Sequence, residues 1–107
     1  MKFINKIEIA GVVGASNATT VSGTKVARFS LMTENSTTSN DGGLMIECTW
    51  FSVCAFEEGK ITGLEKIQKG SKVHVCGRVR VRRYVDAEGC DRQCWEVVAS
   101  ELKILED

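Results

Sequence analysis

The residues of this sequence best suited to chemistry follow one another at alternate positions: Arg78, Arg80, Arg82 and Tyr84. Alternate residues of a β-strand point to the same face, so this spacing predicts a row of guanidinium groups that ends in an aromatic ring, backed by a row of valines. Such a face can contact phosphates through charge and bases through ring stacking. A charged edge strand that deters aggregation would have the same pattern. A nucleic-acid-binding strand and a charged edge strand are both consistent with the pattern, and the pattern favours nucleic-acid binding.

The distribution of charge supports that interpretation although the formal net charge is zero. No acidic residue lies between positions 66 and 85, and the basic residues of that stretch are Lys66, Lys69, Lys72, Arg78, Arg80, Arg82 and Arg83. The acidic residues gather on either side of it, at positions 57–58 and from position 86 onward. The local field matters more for binding than the summed charge, so a basic surface is expected on an overall neutral chain.

The sequence offers little for catalysis or for metal binding. It has one histidine, His74, without an evident catalytic or metal partner, and no Cys-x-x-Cys pair among its five cysteines, so neither a disulfide framework nor a zinc ribbon is indicated. Cys90 and Cys94 have a spacing at which they could pair or bind a metal. No nucleophile–histidine–acid order and no phosphate-binding glycine loop stand out. We therefore expect a protein that is not an enzyme and has no cofactor and no metal.

The chain also lacks the marks of a membrane or secreted protein. No apolar run approaches the roughly 20 residues that cross a bilayer, and the first six residues contain no signal-peptide core. A cytoplasmic protein without a membrane partner is the expectation.

The pattern of apolar residues and glycines predicts one all-β domain over residues 1–107. Alternation marks five strands, at 3–13, 25–33, 44–56, 72–85 and 92–105, while helical spacing predicts a short helix within 57–68 that ends at a glycine. Residues 14–23 and 35–43 are expected to be a connector and a mobile loop. Five strands with a helix between the third and fourth are the order of an oligonucleotide-binding (OB) barrel. SH3-like barrels also have about five strands, and the position of the helix favours the OB fold.

The alternation also assigns aromatic and apolar side chains to faces. Trp50 and Phe56 fall on the same face of the third strand, and Tyr84 is in phase with the arginines of the fourth. The odd-numbered valines of the fourth strand are expected in the core. Phe29 is expected in the core or a subunit contact, and Trp95 in the core or an interface.

Six segments, taken in order, resemble bacterial single-stranded DNA-binding proteins: residues 23–31, 49–56, 69–70, 73–77, 80–84 and 96–99. The resemblance covers nearly all of the chain and keeps the family's distance between its third-strand phenylalanine and the later lysine-glycine pair. It implies an OB barrel assembled as a homo-oligomer, a tetramer first and a dimer second. It also implies a nucleoid-associated protein that coats single-stranded DNA without sequence specificity in replication, recombination or repair.

Carried over residue by residue, the resemblance makes Trp50, Phe56 and Tyr84 the rings on which bases stack. The cations predicted to contact the DNA are Arg28, Lys72, Arg78, Arg80, Arg82 and Arg83.

This sequence departs from the family pattern at several positions. Thr37 stands near the place of a loop aromatic, Ser52 in the place of an arginine, and Glu57-Glu58 near the place of a lysine. The chain stops just past the last strand, so the acidic C-terminal tail that recruits repair proteins is expected to be absent. These departures predict weaker binding and leave an alternative open: a dimeric assembly module like the primosomal replication protein, bridging DNA and other replication proteins.

Overall fold

The computed structural model describes residues 1–105, and five strands account for most of them. The strands are β1 (Ile7–Val21), β2 (Thr24–Thr38), β3 (Leu44–Phe56), β4 (Lys72–Val85) and β5 (Asp91–Leu105), with one 3₁₀ turn, Leu64–Lys66, between β3 and β4. They close into a barrel in the order β1-β2-β3-β5-β4. The predicted all-β class, strand number and helical position are confirmed. Within residues 1–105 there is no helix with the length and apolar character needed to span a membrane.

The first two strands are longer than predicted. The stretches expected as a connector and a loop mostly continue β1 and β2, because each finds a partner: β1 pairs with β2 as far as Val21 opposite Thr24, and β2 pairs with β3 as far as Thr38 opposite Leu44. Backbone pairing here outweighs the low strand propensity of small polar residues. The β1–β2 turn is the dipeptide Ser22-Gly23, and both of its residues have positive φ, as two-residue hairpin turns require.

The predicted helix within 57–68 is reduced to a single 3₁₀ turn. Gly59 and Gly63 have φ values of 60° and 73°, in the left-handed region that an α-helix cannot include. Ile61, Leu64 and Ile67 are nevertheless buried. Their helical spacing therefore reflected a loop that covers one end of the barrel.

The barrel interior is filled mainly by odd-numbered residues of the strands. Its fully buried members include Val13, Leu31, Val53, Val73 and Val75, and Phe29 is buried with them. One register shift alters the pattern in β5: Cys76 lies opposite Glu101 but Gly77 opposite Ala99. The bulge leaves one extra residue in β5 and reverses its phase. Val97 and Ala99 consequently face inward before the shift, and Leu102 and Ile104 pack against the core after it.

The prediction of a valine core in β4 holds only for the first part of the strand. Val73 and Val75 are fully buried, whereas Val81 is 43% exposed and Val85 is 64% exposed. The reason is that β4 and β5 pair out to Val85 opposite Asp91, while β3 pairs with β5 only at residues 53–54. Beyond that point no third strand covers the hairpin. Trp95, opposite Val81, is 72% exposed and lies outside the core.

Candidate nucleic-acid interface

The outer surface of the barrel carries a continuous face across β2, β3, β5 and β4. Strand register places Arg28 opposite Cys54, Cys54 opposite Val98, and Arg80 opposite Glu96. Arg82 follows Arg80 on the same face of β4. We call Arg28, Arg80, Arg82 and Glu96 the arginine cluster.

A buried carboxylate holds the cluster together. The side chain of Glu96 has no solvent exposure, and its Oε1 accepts hydrogen bonds from Nε and Nη2 of Arg80, at 3.1 and 2.8 Å. Its Oε2 lies 3.6 Å from Nε of Arg28 and 3.9 Å from Nε of Arg82. A buried carboxylate requires such compensation because desolvation of an unpaired charge is costly. Glu96 thereby fixes guanidinium groups from two different strands on one surface.

The cluster retains positive charge and unused hydrogen-bond donors. Three guanidinium groups face one carboxylate, and the three arginine side chains remain 36–40% exposed. The Nε of Arg28 and the Oε2 of Glu96 are buried and make no hydrogen bond among residues 1–105, so a phosphate would contact other guanidinium atoms that remain exposed. The pKa of the Cys54 thiol beneath the cluster is raised, mainly by burial and secondly by the charge of Glu96. The thiol is therefore neutral. The exposed guanidinium donors are suited to phosphate oxygens, which accept bidentate hydrogen bonds from arginine.

Trp50 lies on the same outer face, with its ring next to Gly14 of β1. A Cβ added at Gly14 would come within 2.5 Å of Cζ3 of the Trp50 ring, so only glycine permits this approach. Gly14 sits in a bulge of β1, where the amide of Ala15 is satisfied by Oγ of Ser30 at 3.0 Å. The ring is 58% exposed. The strand therefore supports the ring at Gly14, and more than half of the Trp50 surface stays open to a ligand.

Tyr84 lies near the end of the β4–β5 hairpin, under the guanidinium of Arg82. The Cζ of Arg82 is 5.5 Å from the ring centroid, within cation–π range. This contact confirms the prediction that the two side chains share a face. Tyr84 is 40% exposed.

Phe56 ends β3 at the other side of the arginine cluster and is half-buried. It lines a groove together with Glu58, Arg78 and Arg80. The carboxylate of Glu57 points away from this groove, because its Oε1 accepts hydrogen bonds from the amides of Gly63 and Leu64, at 3.0 and 3.3 Å. Of the two acidic residues that the sequence placed beside the ring, only Glu58 borders the groove.

The model of the single-strand binding protein family matches residues 4–105. This chain belongs to that family. It is 32% identical over 105 residues to a single-stranded DNA-binding protein of Xanthomonas axonopodis pv. citri, covering 95% of this chain and 58% of the relative. A Rhizobium meliloti protein of the same name is 31% identical over 99 residues, which are 89% of this chain and 57% of that protein. The chain thus spans less than three fifths of the length of these curated relatives.

Two solved structures agree with the architecture of this family member. The Plasmodium falciparum SSB in complex with ssDNA superposes with a TM-score of 0.81 at 26% identity, covering 99% of this chain and 98% of that one. The single-stranded DNA-binding protein of Thermus aquaticus gives a TM-score of 0.76 at 18% identity, over 96% of this chain and 51% of that one, and indicates the fold alone. The predicted OB barrel is confirmed.

Two of the cations predicted from the sequence, Lys72 and Arg83, lie away from the arginine cluster. Lys72 begins β4, opposite Val12 and Leu105. It lies six positions before Arg78, a distance of about 20 Å along a strand. Arg83 has the opposite phase from Arg82 and lies opposite Gln93, on the side of the hairpin that carries Trp95. The fold gathers Trp50, the arginine cluster and Tyr84 on one surface, with Phe56 and Arg78 at its border.

Sequence reasoning missed Glu96, which organises the surface, because the sequence did not determine the exact register of the β4–β5 hairpin. In the structure five residues, 86–90, connect the two strands, and the numbers of two directly paired residues add up to 176 along this part of the hairpin. Val85 opposite Asp91 implies Arg80 opposite Glu96. An acid directly across from the middle arginine of the row is a favourable cross-strand pair.

Proposed function

We propose that this chain is a single-stranded DNA-binding domain over residues 1–107 that coats single-stranded DNA without sequence specificity. One observation carries the proposal: an exposed Trp50 and an exposed Tyr84 lie on the same outer face as three arginines that a buried carboxylate holds in place. Family membership and the likeness to the Plasmodium falciparum SSB, whose structure contains ssDNA, support it.

The two kinds of side chain would act on different parts of the ligand. Guanidinium groups would contact phosphates and fix the path of the strand, and the rings would stack on bases. Every base presents a π-face, so stacking tolerates any sequence. This is a binding surface, and the proposed role requires no catalysis. We further propose a homo-oligomer, a tetramer before a dimer, acting at the nucleoid in replication, recombination or repair.

The decisive experiment is a titration of tryptophan fluorescence with oligo-dT, and the structure dictates its design. Trp50 and Trp95 are both exposed, at 58% and 72%, so quenching of the wild-type chain cannot be assigned to one ring. The Trp95→Phe variant isolates Trp50, and the Trp50→Phe variant isolates Trp95. Saturable quenching in the first variant, with much weaker quenching in the second, is the expected result.

Affinities of alanine variants then test each ring. Stacking contributes about 1–3 kcal/mol per base, so Trp50→Ala and Tyr84→Ala should each weaken binding about 5- to 140-fold at 1.4 kcal/mol per tenfold. Phe56→Ala should cost less because that ring is half-buried. Trp95 borders the same pocket as Trp50, so Trp95→Ala shows whether this second exposed ring also contributes to binding. Wild-type affinity in all three ring variants would refute the assignment.

The salt dependence tests the arginines. Arg28, Arg78, Arg80 and Arg82, offset by the one charge of Glu96, leave about three cations for phosphates, which predicts a slope of about −2 for log affinity against log salt. The absence of binding at about 50 mM salt, where electrostatic contacts are strong, would contradict the proposal. The alternative of a primosomal assembly module is not favoured, since the relatives named above are single-stranded DNA-binding proteins.

A further inference from the structure

A second cluster of potential ligands lies on the outer surface where β1 pairs with β4. Glu8 of β1 is directly opposite Cys76 of β4, and His74 is two residues before Cys76 on the same strand. Nε2 of His74 lies 3.0 Å from Oε2 of Glu8, and Sγ of Cys76 lies 3.7 Å from the same oxygen. All three ligand atoms lie within 4.8 Å of one another. No partner for His74 was evident from the sequence, because Glu8 is 66 residues away along the chain.

These separations are close to those of a tetrahedral zinc site. With Zn–S near 2.3 Å and Zn–N and Zn–O near 2.1 Å, a tetrahedron places S and O about 3.6 Å apart and N and O about 3.4 Å apart. The observed S–O separation of 3.7 Å and N–O separation of 3.0 Å are each within about half an ångström of these values, and the S–N separation is at most 4.8 Å. Two of the ligands belong to one strand and the third to its neighbour, so the backbone already holds them in place.

The donor set indicates which cation would bind. A thiolate, an imidazole and a carboxylate together suit Zn²⁺, whereas Mg²⁺ and Ca²⁺ prefer oxygen ligands alone. Glu8 and Cys76 also line a groove with Lys6 and Glu101, and Glu101 is paired with Lys60 at 2.8 Å, so selectivity for the cation rests on the three ligands themselves. The fourth position of the tetrahedron would face that groove and take a water molecule.

We propose that Glu8, His74 and Cys76 form a Zn²⁺ site that links β1 to β4. These strands share only six register pairs, from Ile7 opposite Gly77 to Val12 opposite Lys72, so a metal bridge would reinforce a short junction of the barrel. A cation that binds the folded chain alone stabilises it by mass action. The proposal is independent of DNA binding. The competing interpretation is a simple ion pair between His74 and Glu8 at a half-exposed surface.

The test uses the full chain, reduced and freed of metal, with zinc chloride as the probe. Competition against a chromogenic chelator should give one Zn²⁺ per chain, and zinc should raise the melting temperature. Cobalt(II) on the unmodified chain provides a readout that needs no substitution. Thiolate-to-metal charge-transfer absorption together with intense d–d bands would report a tetrahedral site containing sulfur.

Variants assign the site. His74→Gln and Cys76→Ser should each weaken zinc binding at least about tenfold and abolish the zinc-dependent rise in melting temperature. The double variant Cys90→Ser/Cys94→Ser, which removes the other candidate pair of thiols, should bind zinc like the wild type. No zinc uptake, uptake unchanged in both cluster variants, or uptake lost only in the double variant would each overturn the proposal. The oligo-dT titration, repeated with a chelator, should be unaffected, so failure here leaves the DNA-binding proposal intact.

Discussion

Replacing Glu96 with glutamine would remove one charge from the centre of the arginine cluster while keeping the side-chain volume. The carboxylate is fully buried and touches guanidinium groups at 2.8, 3.6 and 3.9 Å. An amide retains one oxygen acceptor for Arg80 but no net charge. Any loss of stability would therefore measure the electrostatic contribution of the Glu96 carboxylate, because the substitution creates no cavity.

The expected loss follows from the contact distances and the exposure of the arginines. One pair of unit charges 4 Å apart contributes about 4 kcal/mol at an effective dielectric constant of 20. Repulsion among the three guanidinium groups opposes this attraction. Breaking a fully buried pair costs about 3–5 kcal/mol, and these arginines are more than one third exposed and can turn toward water. We expect Glu96→Gln to lower the free energy of unfolding by about 2–3 kcal/mol, or to lower the melting temperature by about 10 °C or more.

Urea denaturation followed by circular dichroism measures this loss, with an unchanged m-value expected. Glu34→Gln is the matched control, since Glu34 is exposed on β2 and makes no ion pair within residues 1–105. Double-mutant cycles with Arg80→Met and Arg82→Met should give the larger coupling for Arg80, the closer partner. A loss below about 0.5 kcal/mol, the range of ordinary surface substitutions, would refute the role assigned to Glu96.

Two further substitutions test other parts of the surface. Gly14→Ala should lift the Trp50 ring from β1, because the new Cβ would lie 2.5 Å from it; in the Trp95→Phe background, acrylamide should then quench Trp50 more strongly. The Gly43→Ala variant is the control, and equal quenching in both would contradict the packing. The pKa of Asp86 is lowered by its hydrogen bond from Arg92 and by backbone amides at the β4–β5 turn. Its stabilising contribution should be present above the unfolded pKa near 4 and be lost as pH falls through the lower folded value. The stability difference between wild type and Asp86→Asn should thus shrink on acidification from pH 6 to pH 3, and a constant difference would count against the contact.

Much of the fold could be predicted because its central strands alternate clearly. The bounds of β3 and β4 match the prediction, since Trp50, Ser52 and Cys54 alternate with buried partners and glycines bracket β4. The second half of β1 could not be predicted. Its small polar residues form a strand only because β2 lies alongside, as Asn17 opposite Arg28 illustrates.

The site was predictable to the extent that it depends on strand phase. The shared face of Arg82 and Tyr84 follows from alternation within one strand. The contact of Arg28 with Glu96 does not, because it requires β2, β3 and β5 to lie side by side in the closed barrel. The exposure of Val81 and Trp95 could not be predicted either, because it depends on where β3 stops pairing with β5. The alternation of residues along a strand predicts which side chains share a face. Whether that face is buried depends on which other strands lie beside it.

The pairing of β3 with β5 has a consequence for the order of folding. These strands meet through two register pairs, Val53 with Val97 and Cys54 with Val98, while every other junction of the barrel has at least six. The paired residues are 44 positions apart, and closing a loop of that length costs about 3 kcal/mol in chain entropy. The hairpins can form first, so the β3–β5 and β1–β4 junctions close after them, and of these two the β3–β5 junction has fewer backbone pairs to hold it. Arg28 reaches across it from β2 to Glu96 on β5. The ion pair between Arg28 and Glu96 therefore also links β2 to β5 across the weakest junction. The charges that form the arginine cluster thus help to stabilise the closed barrel.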